Sequence, residues 1–332
     1  MQQTKTGVSL VGSGSAHLSG SLSNRELSQI VETSDEWIAT RTGIRQRFLA
    51  NAQESLTSLA VDAGRAALEM SGTEASELEL IILATSTPDD LFGSASQVQA
   101  GLGASHAVAF DLTAACSGFV FALVTAAQYM RSGVYGTVLV IGADVLSRWT
   151  DWQDRRTCVL FGDGAGAVVL KASDRDRLLG FEMRSDGRLN GCLNLAYQAE
   201  QRSLLEGRTV QKGTFQTVTM NGKEVYRFAV KRVPEIVEKA LFRAGLTPAD
   251  IDWLLLHQAN QRILDAVADR LQVPSDRVIS NMARHGNTSA ASIPIALDEA
   301  VRAGKINAGD IIASSGFGAG LTWGAAIFEW GS

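Results

Sequence analysis

A chain of 332 residues, 45% hydrophobic and 20% charged, has the composition of a soluble folded protein with a sizeable core and not of a disordered one. Its net charge of −5 argues against nucleic-acid binding as the main task, which needs a basic footprint. The three cysteines, Cys116, Cys158 and Cys192, have neither paired nor metal-type spacing, which excludes a disulfide framework and fits a reducing compartment.

From the N-terminus, MQQTKTGVSL lacks the apolar run of a secretory signal. GSGSAH at Gly12 resembles part of a dinucleotide loop, but turn-like residues follow it where a helix would have to open. A helix ending at Gly72 leads to a buried strand, Leu80–Ala84, and a second strand is expected over Val108–Leu112. The uncharged stretch Leu112–Met130 is long enough to cross a membrane. Its βαβ setting, with a strand at Thr137–Gly142 close behind, makes it a buried central helix instead. Cys116 lies where strand passes into helix, facing unpaired N–H groups and the positive end of the helix dipole, and both favour thiolate. Cys158 and Cys192 lack such a junction and read as packing or surface residues. GDGAGA at Gly162 runs into a strand, Ala167–Leu170, so its glycines suit close backbone passage.

Beyond a loop-rich stretch, a helix carrying Arg227 and Lys231 is expected to kink or restart at Pro234. A strand then ends at His257, inside the polar cluster HQAN, and the next helix carries Arg262. A polar cluster closing a buried strand needs a reason. Asn287, in HGNTSAAS, stands at a helix N-cap position. His285 is a rival candidate that precedes the helix start. The tail GFGAGLTWG joins two final strands.

The chain repeats itself. Ala67–Ala84 resembles Ala240–His257, the Cys116 block resembles the Asn287 block, and FGDGAGAVVL resembles LTWGAAIFEW. Two copies of one α/β unit are therefore expected, over 1–174 and 220–332, joined by a connecting insertion at 175–219. In this alignment Cys116 corresponds to Asn287. Continuous apolar strands such as LIILAT and TVLVIGA point to sheets buried on both faces, with right-handed helical crossovers.

With Cys116, LLLHQANQRI, HGNTSAAS, GFGAGLTWG and the N-terminal TSDEWIATRTGIRQR in view, nearly the whole chain resembles the β-ketoacyl-acyl-carrier-protein synthase III family of the thiolase superfamily. The resemblance implies a thiolase-like α/β fold of five layers, αβαβα, and the initiating condensation of type II fatty acid synthesis. It implies a Cys116, His257 and Asn287 triad. The thiolate takes an acyl group from an acyl-CoA, probed first with acetyl-CoA, and His257 and Asn287 stabilise the enolate left when malonyl-acyl-carrier protein loses carbon dioxide. The oxyanion hole is expected between the Cys116 N–H and the tail at Gly318 and Ala319. The family usually has Gly where this chain has Ala319, so a positive φ there would be costlier. Trp37 and Arg155 match an adenine-stacking pair, and Arg41 a CoA phosphate contact. Phe161 and Phe317 are implied for the acyl pocket, and Phe92 for closing the partner subunit's pocket. Gln258, Arg262, Arg227 and Lys231 are implied for the acidic carrier protein. A cytoplasmic homodimer with no cofactor, no metal, no membrane association and no nucleic-acid partner completes the expectation. Elongating condensing enzymes use Cys-His-His, and thiolases a second cysteine near the C-terminus, where this chain has none after Cys192. A polyketide-type ketosynthase primed by acyl-CoA, or a non-catalytic scaffold of the same fold, are the alternatives.

Overall fold

Mostly apolar strands form the centre of two sheets, and helices cover them. The computed structural model describes residues 7–331; the expected N-terminal half begins at residue 1, and its first six residues lie outside this range, as does Ser332. The first half opens with β1 (Gly7–Ser15). A ribbon of β2 (Gly20–Ser23) and β3 (Gln46–Leu49) encloses α1 (Asn24–Leu27) and α2 (Asp35–Thr42). There follow α3 (Leu56–Ser71), β4 (Leu80–Ala84), α4 (Ala95–Leu102), β5 (Val108–Leu112), α5 (Gly118–Arg131), β6 (Thr137–Val145) and β7 (Asp163–Ser173). The second half opens with β8 (Leu178–Ser185). The short β9 (Leu193–Asn194) precedes an exposed hairpin of β10 (Tyr197–Leu205) and β11 (Arg208–Phe215), and pairs with β12 (Thr219–Met220) beyond it. Then come α6 (Gly222–Ala244), β13 (Trp253–Leu256), α7 (Gln261–Leu271), α8 (Met282–His285), α9 (Ser292–Arg302), β14 (Ile311–Gly318) and β15 (Thr322–Glu329).

The sheets run β1-β7-β6-β4-β5 and β8-β15-β14-β13. Helix α3 packs on the outer face of the first sheet, α6 on the outer face of the second, and α5 and α9 lie between the sheets. Five αβαβα layers result. Glycines let the helices approach: a Cβ at Gly14 would sit 2.3 Å from Ala67 N on α3, and one at Gly166 2.7 Å from Ile295 N on α9. GSGSAH and GDGAGA thus seat helices on strands β1 and β7.

Three expectations change. The second half begins at β8 and not at residue 220: β8 takes the edge place in the second sheet that β1 takes in the first. The segment 175–219 therefore holds a strand of the second sheet and a hairpin. The two central turns match as Ala115 with Ser289 and Gly118 with Ser292, so Cys116 is the counterpart of Ala290, not of Asn287. Helix α6 runs unbroken through Pro234. Pro costs about 3 kcal/mol inside a helix. Buried Val233, Ile236 and Val237 beside it each contribute about 1.5–3 kcal/mol by leaving water, which outweighs that cost.

Candidate active site

Cys116, His257 and Asn287 line one cavity of about 330 Å³, with Phe161 and Phe317 in its wall. Each comes from a junction. Cys116 sits in the short turn Ala115–Ser117 that leads into α5. His257 follows β13, its N–H bonded to Ser315 O at 2.8 Å. Asn287 follows α8 and is held by two main-chain bonds, to Leu160 O at 2.9 Å and from Gly162 N at 3.0 Å. The β14 tail backs onto Cys116: a Cβ at Gly318 would lie 2.5 Å from Cys116 N.

The electrostatics differ from those expected of a helix-start thiol. Cys116 is 7% exposed, and burial pushes its thiol up to about 12; the Ser289 hydroxyl, 3.3 Å from Sγ, pulls it down and Asp144 pushes it further up. Desolvation thus opposes the pull of the helix start on the sulfur. Burial drives His257 down to about 3, so its ring is neutral. Its Nδ1 is 2.7 Å from Ser292 Oγ. That oxygen also accepts the Gln258 N–H at 3.3 Å. With the Ser292 hydroxyl donating to Nδ1, the ring proton sits on Nε2. Asn287 Oδ1 accepts the Ser289 N–H at 2.9 Å, which leaves the amide NH₂ as its donating end. The Asn287 oxygen thus caps the turn before α9, as an N-cap would.

The remaining expected residues scatter. Trp37, Arg41 and Arg155 cluster, with the two guanidinium carbons 4.5 and 4.8 Å from the indole centroid. They stand beside the cavity, because Arg41 O accepts from the side chain of Asn260, which lines it. Arg262 lines the mouth, 5.7 Å from the Tyr226 ring. Arg227 and Lys231 are exposed on α6, and Arg227 pairs with Glu224. Gln258 is a correction: it is fully buried and its amide bonds to Leu256 O, Ile279 O and Asn281 N, so no surface partner can reach it. The cluster that ends the strand turns inward there. Ala319 keeps a negative φ, and Gly320 takes the positive one (φ 126), so the expected cost does not arise. Phe92 is 99% exposed and lies by a separate cavity with Phe110 and Phe215. His285 bonds to Glu299 at 2.8 Å, away from the cavity lining.

Sequence reasoning missed Lys223 at the mouth and three buried groups, Ser289, Ser292 and Asp144. An acidic residue closing the apolar run TVLVIGAD was the available signal for Asp144. Among the described residues no group of His, Cys, Asp or Glu is placed to hold a metal ion, and no helix is long and apolar enough to cross a membrane.

Comparison with known proteins gives the same picture from outside. The 3-oxoacyl-[acyl-carrier-protein] synthase III family description matches residues 110–187, and its C-terminal counterpart residues 241–330. The β-ketoacyl-[acyl-carrier-protein] synthase III of Synechococcus elongatus is 71% identical over 333 residues, covering 100% of this chain and 99% of that protein. The crystal structure of the Aquifex aeolicus 3-oxoacyl-[acyl-carrier-protein] synthase III superposes with a TM-score of 0.90 at 42% identity, over 98% of this chain and 100% of that one. A priming β-ketosynthase of a polyketide biosynthetic pathway superposes with a TM-score of 0.89 at 35% identity, over 99% and 97%. Identity this high over the full length, on a fold that folds a cysteine, a histidine and an asparagine into one cavity, makes this chain a member of the 3-oxoacyl-[acyl-carrier-protein] synthase III family.

Proposed function

We propose that this chain condenses an acyl-CoA primer, acetyl-CoA first among them, with malonyl-acyl-carrier protein. Carbon dioxide leaves and 3-oxoacyl-carrier protein forms, which initiates type II fatty acid synthesis. The observation that carries this reading is a buried thiol sharing one cavity with two neutral hydrogen-bond donors, His257 and Asn287. The thiolate attacks the primer thioester and keeps the acyl group. Malonyl thioester then enters, and loss of carbon dioxide leaves an enolate whose oxygen lies between His257 Nε2–H and the Asn287 NH₂. A neutral imidazole suits this step, because it donates a hydrogen bond without having to take up or release a proton. The carbanion attacks the acyl-Cys116, and the Cys116 N–H beside Gly318 receives the oxyanion. Decarboxylation itself supplies the carbanion, so the substrates suffice and no cofactor is needed.

Trp37, Arg41 and Arg155 present flat, cationic surfaces next to the mouth, which suit a purine nucleotide. Arg262 and Lys223 at the mouth, with Arg227 and Lys231 beyond on α6, suit an acidic carrier protein. Strand β5 is a sheet edge, with Val108 half exposed, and Leu91 and Phe92 stand out of the surface near it. An edge of this kind is best covered by a second copy, so we propose a homodimer in the cytoplasm, with Phe92 reaching the neighbour. The test is mass spectrometry after incubation with acetyl-CoA: one acetyl group on the Cys116 peptide, discharged on adding malonyl-acyl-carrier protein. An unmodified Cys116 overturns the reading. The polyketide-type relative makes carrier-protein choice the second readout: preference for a polyketide carrier protein favours that role.

A further inference from the structure

The enolate site asks two side chains from separate stretches of chain to point at one oxygen. His257 follows β13 and Asn287 follows α8. Hydrogen bonds of this kind hold over about 2.7–3.2 Å, so a shift of either donor by about 1 Å loses one. Helix α9 supports both. Its first residue, Ser292, meets His257 Nδ1 at 2.7 Å. About two turns further along, on the same face, stands Glu299. Its carboxylate grips α8 at both ends. Oε2 accepts from Asn281 Nδ2 at 3.0 Å, just before α8, and pairs with Arg284 at 3.0 Å. Oε1 lies 2.8 Å from Nε2 of His285, the last residue of α8. Gly286 alone separates His285 from Asn287.

We propose that Glu299 is a positioning residue for the enolate site, setting Asn287 relative to His257 by clamping α8 onto α9. This rests on His257 and Asn287 being the enolate donors of the proposed function. Helix α8 is a single turn, Met282–His285, too short to hold its own shape. Asn281, at its N-cap, makes no side-chain cap bond, because its amide is turned to Glu299 instead. Gly286 then takes φ 63 and ψ −150, a bend with no side chain to lock it. Main-chain bonds to Leu160 and Gly162 hold Asn287 from one side. On the other side its approach is set by α8, and α8 is set by Glu299.

The same clamp reaches His257 by a second path. Gln258, the next residue, donates through Nε2 to Ile279 O at 3.2 Å and accepts the Asn281 N–H at 3.1 Å. Asn281 therefore joins the segment after His257 by its main chain and Glu299 by its side chain. The series Gln258, Asn281, Glu299, His285 runs from beside one donor to beside the other, and each member is buried or half-buried. This gives the inward turn of Gln258 a purpose. Cys116 is held otherwise, against Gly318 of β14 and beside the Ser289 hydroxyl, so the two half-reactions separate the clamp from the sulfur.

The test compares wild type, Glu299→Ala, Glu299→Gln and Asn281→Ala in two half-reactions, with thermal melts alongside. One is carbon dioxide release from malonyl-acyl-carrier protein, and the other is quenched-flow acetylation from acetyl-CoA. Glu299→Ala is expected to lose about 10²-fold in kcat for decarboxylation, with KM and acetylation changed less than about threefold. Glu299→Gln keeps an oxygen for Asn281 and an N–H for the His285 ring, so it is expected to restore the rate to within about fivefold of wild type. Asn281→Ala removes one bond of the clamp and is expected to lose about tenfold, again in decarboxylation alone. It decides the matter if Glu299→Ala fails to fold. A merely structural role would lower both half-reactions together with the melting temperature. Such parallel losses, or a Glu299→Gln as slow as Glu299→Ala, overturn the proposal. A wild type that decarboxylates no malonyl thioester overturns the condensing reading and this proposal with it. A wild type active in both half-reactions, beside a Glu299→Ala that decarboxylates as fast, overturns this proposal alone.

Discussion

Gly318→Ala is the sharpest probe of how the tail holds the nucleophile. The new methyl would lie 2.5 Å from Cys116 N, 3.1 Å from Ala115 Cβ and 3.2 Å from Cys116 Cα. Ordinary contact needs about 3.5 Å, so one side must retreat by about 1 Å. The closest atom is backbone in the turn between β5 and α5, not the end of a flexible side chain. Ala115, just before Cys116, already holds φ 47, so the turn has little freedom to give. Overpacking of this kind costs about 1–3 kcal/mol of stability. A displacement of about 1 Å at a reacting atom costs about 10²-fold in rate. Gly222→Ala is the control, since it also lines the cavity but would meet only Met220 Cε at 3.7 Å. Quenched-flow acetylation from acetyl-CoA is expected to fall about 10²-fold in Gly318→Ala and less than twofold in Gly222→Ala. Acetylation of Gly318→Ala within twofold of wild type would refute the claim that the tail positions the sulfur.

His257→Ala and Asn287→Ala are each expected to slow malonyl decarboxylation by about 10²–10³ and acetylation far less; equal losses in both steps would end this division of roles. Because burial depresses His257 to about 3 from an unfolded value of 6.5, the unfolded chain binds a proton there that the folded chain refuses. Its contribution to stability is complete above about pH 6.5 and is lost at about 1.4 kcal/mol per unit as pH falls toward 3, so denaturant melts of His257→Gln should be flatter than wild type from pH 6 to 4.5. Arg262→Glu is expected to raise the KM for malonyl-acyl-carrier protein about tenfold and to leave the acyl-CoA KM nearly unchanged, with the gap closing as salt is added. Sedimentation at micromolar concentration is expected to find a dimer; a fully active monomer would remove the role given to Phe92.

The meeting of Cys116, His257 and Asn287 in one cavity was legible because each stands where a buried strand or helix begins or ends and the family resemblance grouped them. The paired halves were legible where strands are continuous runs of aliphatics. The boundary was not, because β8 reads LLGFEMRS with every second residue partly exposed, and it resembles β1, a glycine-rich GVSLVGSGS, only by its place in a sheet. Gln258 misled because polarity at a strand end does not say whether an amide faces water or the protein interior. At Cys116 the helix start was visible in the sequence, and the depth of burial that raises the thiol was not.

Duplication also bears on why one half carries the cysteine. The turns before α5 and α9 are equivalent, and both use a left-handed residue, Ala115 at φ 47 and Ser289 at φ 52. Where one turn has a reactive side chain the other has alanine: Cys116 faces Ala290, and Ser289 faces Ala115. The Ala290 carbonyl oxygen lies 2.2 Å from where a Gly142 Cβ would be, and the Ala290 methyl lies 3.6 Å from that of a side chain at Gly118. The second turn is therefore pressed onto β6 through its main chain and lies beside α5. The preceding residue, Ser289, brings its hydroxyl to 3.3 Å from the sulfur of the other turn. Two copies of one α/β unit thus give one cavity whose two inner turns do different work.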